Sequence, residues 1–291
     1  MKKIAESELV LNPDGSVYHL KLKPENIADY IIVVGDQGRV ESISKNFSKV
    51  EFKIQNREFV THTGLYKGKR ITALSTGIGT DNIDIVLNEL DAAVNIDLNK
   101  RIPSKKHRKL NIIRLGTSGA LQKDIPVDSF VASSYGMGFD GLLHFYKDAP
   151  KVNDFKMSKA FIKHAKWEKH LNQPYSVAAS PELLNGIAHD LIKGVTATAS
   201  GFYAPQGRIL RLDTQVNDIN SIMTTFKHNG HRITNFEMET SALYGLGQML
   251  GHNTLTICTI VANRLQKKFS KDYKKSVEKM IKLTLDRIVE L

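Results

Sequence analysis

Short apolar, β-branched runs alternate along this chain with stretches whose apolar positions recur every three to four residues. Tyr30–Val34, Ile71–Ser75, Asn111–Leu115, Ser129–Ala132, Val195–Ala199 and Thr254–Val261 read as strands. Several are apolar throughout, as strands covered on both faces are. Ile83, Val86, Leu87 and Leu90 form a helical stripe, and Asp81 before them is placed to cap it. Met238, Ala242, Leu246 and Met249 make a second stripe, and Val277, Ile281, Leu285 and Ile288 a third among lysines. The alternation predicts a layered α/β fold. No repeat, low-complexity tract or Pro/Gly-rich linker divides residues 1–291, so one domain is expected.

Composition narrows the function classes. Of 291 residues, 41% are hydrophobic and 24% charged, enough for a buried core and against disorder. The net charge of +11 favours anionic partners without saying which. Cys258 is the one cysteine, which excludes an internal disulfide and a cysteine-rich zinc module. No run reaches the roughly 20 apolar residues of a membrane helix. Glu6 and Glu8 interrupt what would have to be the apolar part of a signal peptide. A cytoplasmic protein with no membrane partner is expected. The basic stretch Asn99–Leu110 holds no aromatic residue for stacking bases, so it reads as a solvated loop and nucleic acid is not an expected partner.

Five segments carry candidate chemistry. In VVGDQGRV a strand runs into Gly35, where the backbone can approach an anion, and Arg39 follows to add a bidentate contact. Its spacing is neither the dinucleotide fingerprint nor the P-loop. STGIGTDN, from Ser75, is a second turn between strand and helix, equally readable as an anion ledge or a tight connection. In IIRLGTSGALQ, Arg114 sits within an apolar strand, where a charge needs a partner, either a bound anion or a salt bridge. Thr117 follows at the strand's end. GFYAPQGR offers the amide of Gln206 and the guanidinium of Arg208 to the edge of a planar heterocycle, with Phe202 or Tyr203 to stack on its face. NFEMET sets Glu237 and Glu239 around Met238, a pattern suited to a sugar diol and equally to an acidic helix start.

Taken in order, SVYHL, VVGDQGRV, NREF, STGIG, IRLGTSGALQ, FYAPQGR, NFEMET and VANRLQ resemble the nucleoside phosphorylases of the trimeric or hexameric family, and among them the uridine phosphorylases. The resemblance runs from about Ser16 to the C-terminus. It implies a three-layer α/β/α fold with a central mixed, partly barrel-like sheet, and a dimer with shared sites, often built into a hexamer. It implies a phosphate site of Gly35, Arg39, Arg114 and Thr117, with Arg57 from a neighbouring subunit. Met238, Glu239 and Glu237 would form the ribose site, with His19 crossing the interface to the 5′-hydroxyl. Phe202, Gln206, Arg208 and Arg264 would form the base site.

The implied reaction is reversible phosphorolysis of uridine to uracil and ribose 1-phosphate. Arg114, Glu239, Arg208 and Gln206 would carry it, with phosphate as co-substrate and no cofactor or metal. Purine-cleaving relatives place an aspartate after the last core strand, whereas Ile257–Gln266 here has no acid. That favours a pyrimidine over the rival reading, a purine phosphorylase or nucleosidase. A non-catalytic nucleotide or RNA binder would explain the charge but not Arg114 in its strand. Two departures stand out. Asn82 aligns where a serine is common, so a monovalent-cation site is not implied. The connection Asn95–Leu110 is longer than in bacterial relatives.

Overall fold

The computed structural model describes residues 3–291. Its centre is a twelve-stranded mixed sheet. Strand Tyr30–Val34 lies parallel to Lys69–Ser75 on one side and to Asn111–Ala120 on the other. Asn111–Ala120 pairs in turn with the parallel strand Asn253–Asn263. Beyond it come Phe130–Gly138, antiparallel to Asn253–Asn263, then Ile192–Thr198 and His231–Glu237, each parallel to the strand before it. The far end of Asn111–Ala120 pairs with His231–Glu237, Phe236 facing Gly119, and this closes a five-strand ring. The partly barrel-like sheet implied by the family resemblance is thus present.

Helices cover both faces. In strand Asn253–Asn263, alternate side chains point to opposite sides. Thr254 meets Gly247 and Thr256 meets Thr240 of helix Thr240–Met249, while Thr259 meets Met280 of helix Tyr273–Glu290. Helix Thr80–Asn95 packs beside Thr240–Met249. Ile31, Ile32, Val33, Ile112, Ile113, Leu255 and Ile257 are all fully buried between these layers. The all-apolar strands are the doubly covered ones.

Three local expectations change. Gly79, not Asp81, occupies the N-cap of helix Thr80–Asn95, at φ 99°. Asp81 falls in the first turn, where its charge suits the helix dipole. The stripe from Met238 begins helical only at Thr240, because Asn235–Glu237 finish strand His231–Glu237. That strand hides in the sequence because Thr234 and Asn235 are polar yet fully buried and hydrogen-bonded inside the ring. The hairpin of Lys49–Asn56 and Phe59–Tyr66 was not anticipated either, although Val50, Phe52 and Ile54 alternate with polar residues.

The basic connection is more than a solvated loop. It contains a small hairpin of Ile96–Asp97 and Ile102–Pro103. Arg108 is tied to Asp29 at 2.7 Å and to the carbonyl of Ile27 at 2.7 Å. His252 accepts the Leu110 N–H on Nδ1 at 3.2 Å and turns Nε2 toward Asp91 Oδ1, also 3.2 Å away. His107 stacks on His252 and meets the Leu250 carbonyl at 2.9 Å. Asp91, His107 and His252 have the composition of a metal site. His252 Nε2 itself has no hydrogen-bond partner among the described residues, so the connection is held by the Leu110–His252 and His107–Leu250 bonds and by the stacking of the two rings.

Candidate active site

The candidate residues gather at the carboxyl ends of the parallel strands, the usual place for a ligand in an α/β sheet. The turn after Tyr30–Val34 and the turn after Lys69–Ser75 face each other. A Cβ on Gly35 would stand 3.3 Å from the Gly77 carbonyl, and Thr76 N–H donates to the Val34 carbonyl at 2.8 Å. Asp36 caps helix Gln37–Ser44 through the Gly38 N–H at 3.0 Å, which brings Arg39 to the sheet. Arg39 Nη1 donates to the Leu115 carbonyl at 3.1 Å. Burial, and then the nearby Arg114, lower its pKa, and no salt bridge relieves it among the described residues. An anion beside Arg39 and Arg114 would lower that electrostatic cost.

Arg114 is 5% exposed and reaches a pair of carboxylates. Its Nη1 lies 3.1 Å from Glu237 Oε2, and its Nη2 contacts Glu239 Oε2. Burial works against its charge, but Glu239 and Glu237 outweigh it and hold the pKa above its ordinary value. Burial pushes the Glu239 carboxyl upward against the pull of Arg114. The Arg114 Nε–H is buried with no hydrogen-bond partner. Of the two partners expected for Arg114 the structure shows the salt bridge, and the Nε–H remains as a free donor.

Sequence reasoning missed three residues here. Gly79 donates its N–H to Glu239 Oε1 at 2.8 Å, which ties the second glycine turn to the acidic segment. Cys258 Sγ lies 3.7 Å from Arg114 Nη1, and burial pushes its thiol up to about 11. Thr198 donates to Glu237 Oε1 at 2.7 Å. Thr198 and Cys258 look like ordinary strand residues in the sequence, and only the ring places them. The STGIG turn carried the one available signal, for Gly79.

The wall on the other side is built by the loop after Ile192–Thr198. Gln206 is 3% exposed, and its Oε1 accepts from Arg208 Nη1 at 2.7 Å and Arg264 Nη2 at 3.2 Å. Arg264 also holds the Gln206 carbonyl and, at 3.0 Å, Asn220 Oδ1. Burial, and then Arg208, lower the Arg264 pKa to about 10, which leaves it charged at neutral pH. The Arg208 guanidinium lies over the Phe202 ring at 3.7 Å, a cation–π arrangement on a half-exposed aromatic. Met238 and Thr117 are half-buried.

His19 and Arg57 lie elsewhere. His19 Nδ1 is 2.6 Å from Glu89 Oε1, and its carbonyl accepts from Asn56. Arg57 sits at a hairpin turn with φ 54°, its guanidinium 5.5 Å from the Tyr18 ring. Among the described residues no hydrogen bond or ion pair joins either side chain to Arg114 or Glu239. No helix among them is long and apolar enough to cross a membrane.

The strand ends of the ringed α/β sheet thus collect two arginines, two carboxylates and an amide–guanidinium wall. The chain belongs to the phosphorylase superfamily, whose family model matches residues 29–290. Its class is that of the pentosyltransferases that use phosphate. It is similar to the uridine phosphorylase of Thermococcus kodakarensis, 29% identical over 279 residues, covering 93% of this chain and 86% of that protein. It is also similar to the DeoD-type purine nucleoside phosphorylase of Clostridium perfringens, 27% identical over 276 residues, covering 94% and 99%. Among solved structures, the Trypanosoma brucei nucleoside phosphorylase described as showing uridine phosphorylase activity superposes with a TM-score of 0.87 at 30% identity, covering 97% and 100%. The family and the fold implied by the ordered motifs are thereby borne out.

Proposed function

We propose that this protein is a uridine phosphorylase, catalysing reversible phosphorolysis of uridine to uracil and ribose 1-phosphate. The observation that carries this reading is Gln206, a buried amide held between Arg208 and Arg264 at the edge of the site. An amide and a guanidinium offer the donors and acceptor that match the carbonyl and N–H edge of uracil. The end of the last core strand supports it. Asn263 is fully buried and donates to the carbonyls of Gln122 and Ile125 at 2.8 Å, and Ile257–Gln266 has no acid to protonate a purine ring.

Phosphate is the nucleophile, so the protein supplies none. Arg39, Arg114, Thr117 and the Gly35 backbone hold it below C1′, and Glu239 bonds the ribose hydroxyls with Met238 against the ring. The C1′–N1 bond breaks toward an oxocarbenium-like state while the phosphate oxygen closes on C1′. Glu239 stabilises the developing positive charge, and Gln206 and Arg208 receive the negative charge that passes to the uracil oxygens. His19 and Arg57 complete the site of a neighbouring subunit in a dimer or hexamer. The protein acts in the cytoplasm as one domain, with no cofactor.

An absorbance assay of uridine and inosine, each with and without phosphate, tests this. Cleavage of uridine only with phosphate is expected, with little cleavage of inosine. Equal or faster inosine cleavage overturns the pyrimidine assignment, and cleavage without phosphate makes the enzyme a hydrolase.

A further inference from the structure

Glu237 and Glu239 are two residues apart, yet their carboxylates are filled differently. An ionised carboxylate offers about four lone-pair positions. At Glu237 four donors take them. Thr198 Oγ1 donates to Oε1 at 2.7 Å, and Thr240 N–H is shared between Oε1 at 3.1 Å and Oε2 at 3.0 Å. Glu239 N–H reaches Oε2 at 3.0 Å, and Arg114 Nη1 lies 3.1 Å from the same oxygen. Glu239 receives the Gly79 N–H on Oε1 at 2.8 Å, with Arg114 Nη2 and, at 3.3 Å, the Met238 N–H on Oε2. One position on Glu239 Oε1 is left. A sugar hydroxyl can therefore join Glu239 without displacing anything, whereas at Glu237 it would leave a buried donor unpaired.

We propose that Glu237 does not touch the nucleoside but is a positioning residue for Arg114, and that the Thr198 hydroxyl in turn positions Glu237. This rests on the phosphorolysis reading and refines it. Thr198 is fully buried and stands opposite Glu237 in the ladder between their strands. Its oxygen accepts the Ser241 N–H at 2.9 Å, which directs its own proton to Glu237. The amino end of helix Thr240–Met249 thus faces Glu237 through one backbone N–H directly and through a second by way of Thr198, and supports its negative charge. That charge balances one arm of the Arg114 fork while Glu239 takes the other. Held at both arms, the guanidinium keeps its partnerless Nε–H in a fixed place for the phosphate.

Steady-state kinetics with phosphate and nucleoside varied separately test this. Thr198→Val removes the hydroxyl and keeps the shape, and Thr198→Ser restores the hydroxyl. Thr198→Val is expected to lower kcat/KM for phosphate by about tenfold or more, with the nucleoside KM changed less than about twofold. Thr198→Ser should recover most of the loss. Glu237→Gln should shift the same constants further while preserving the ratio of kcat/KM for uridine over 2′-deoxyuridine, and Glu239→Gln should collapse that ratio. If Glu237→Gln loses the ratio by about tenfold, Glu237 contacts the sugar and the proposal fails. Wild-type kinetics in Thr198→Val also overturn it, and this pair of variants decides even where Glu237→Gln does not fold. Should the wild-type enzyme prefer inosine, the ratio is read on inosine and 2′-deoxyinosine, so a wrong base assignment is told apart from a wrong role for Glu237.

Discussion

Arg114 and Glu239, separated by 125 residues in the chain, form a buried ion pair at the centre of the site. Its existence depends on strand Asn111–Ala120 and the turn after His231–Glu237 arriving at the same edge of the closed ring. Both groups are nearly inaccessible to solvent and both bond Glu237, so each variant there has a stability cost as well as a catalytic one.

Arg114→Ala would strand two buried carboxylates, and breaking a buried pair in this way costs about 3–5 kcal/mol. A lower urea midpoint is expected together with a kcat reduced about a hundredfold or more and a raised phosphate KM. Arg114→Lys should rescue only in part, because a point charge cannot span Glu237 and Glu239 as the fork does. An Arg114→Ala protein of unchanged stability would show that the pair is not buried as described.

Arg208→Ala separates base from phosphate. Arg208 touches Gln206 and the Phe202 ring, and no carboxylate pairs with it among the described residues. Weaker uridine binding and poorer base discrimination are expected, with the phosphate KM nearly unchanged. Equal shifts of both constants would remove the division into two subsites.

Subunit complementation tests the shared site. Arg57→Ala and Glu239→Ala should each be inactive alone, and a mixture under proven subunit exchange should regain activity through sites that hold both native residues. Absence of recovery would place Arg57 outside the neighbouring site.

Alkaline pH probes Cys258. Burial lifts its folded pKa to about 11, whereas an unfolded thiol titrates near about 8.5. The folded state retains a proton that the unfolded state releases. The contribution is full below about pH 8.5 and is lost as pH rises toward the folded value, amounting to about 2 kcal/mol by pH 10. Urea midpoints from pH 7 to pH 10 should therefore fall more steeply for the wild type than for Cys258→Ala. Parallel curves would contradict the shift.

His252→Ala should loosen the long connection without touching catalysis. It leaves the buried Leu110 N–H without its acceptor, at a cost of about 1–3 kcal/mol. Trypsin should then cut faster at the exposed Lys105 and Lys106, with kcat unchanged. Wild-type resistance to trypsin would mean that Arg108 alone anchors the segment.

The apolar runs of the sequence alone determined strands that are buried on both faces, such as Tyr30–Val34, because a doubly covered strand without buried hydrogen-bond partners must be apolar at nearly every position. The same holds for the stripes of helices Thr80–Asn95 and Tyr273–Glu290. Ordered motifs identified the family. Tertiary structure decided what polar residues do once buried. Thr234 and Asn235 carry no apolar strand signal, and the ring makes them strand by supplying hydrogen-bond partners from other strands. Asp81 looked like a cap until the positive φ of Gly79 and its bond to Glu239 took that position. Nothing local marks Thr198 or Cys258, because their roles come from facing Glu237 and Arg114 across the closed sheet. Sequence pattern reports which surfaces must leave water, whereas partners for buried charge come from distant strands, and only the fold brings those together.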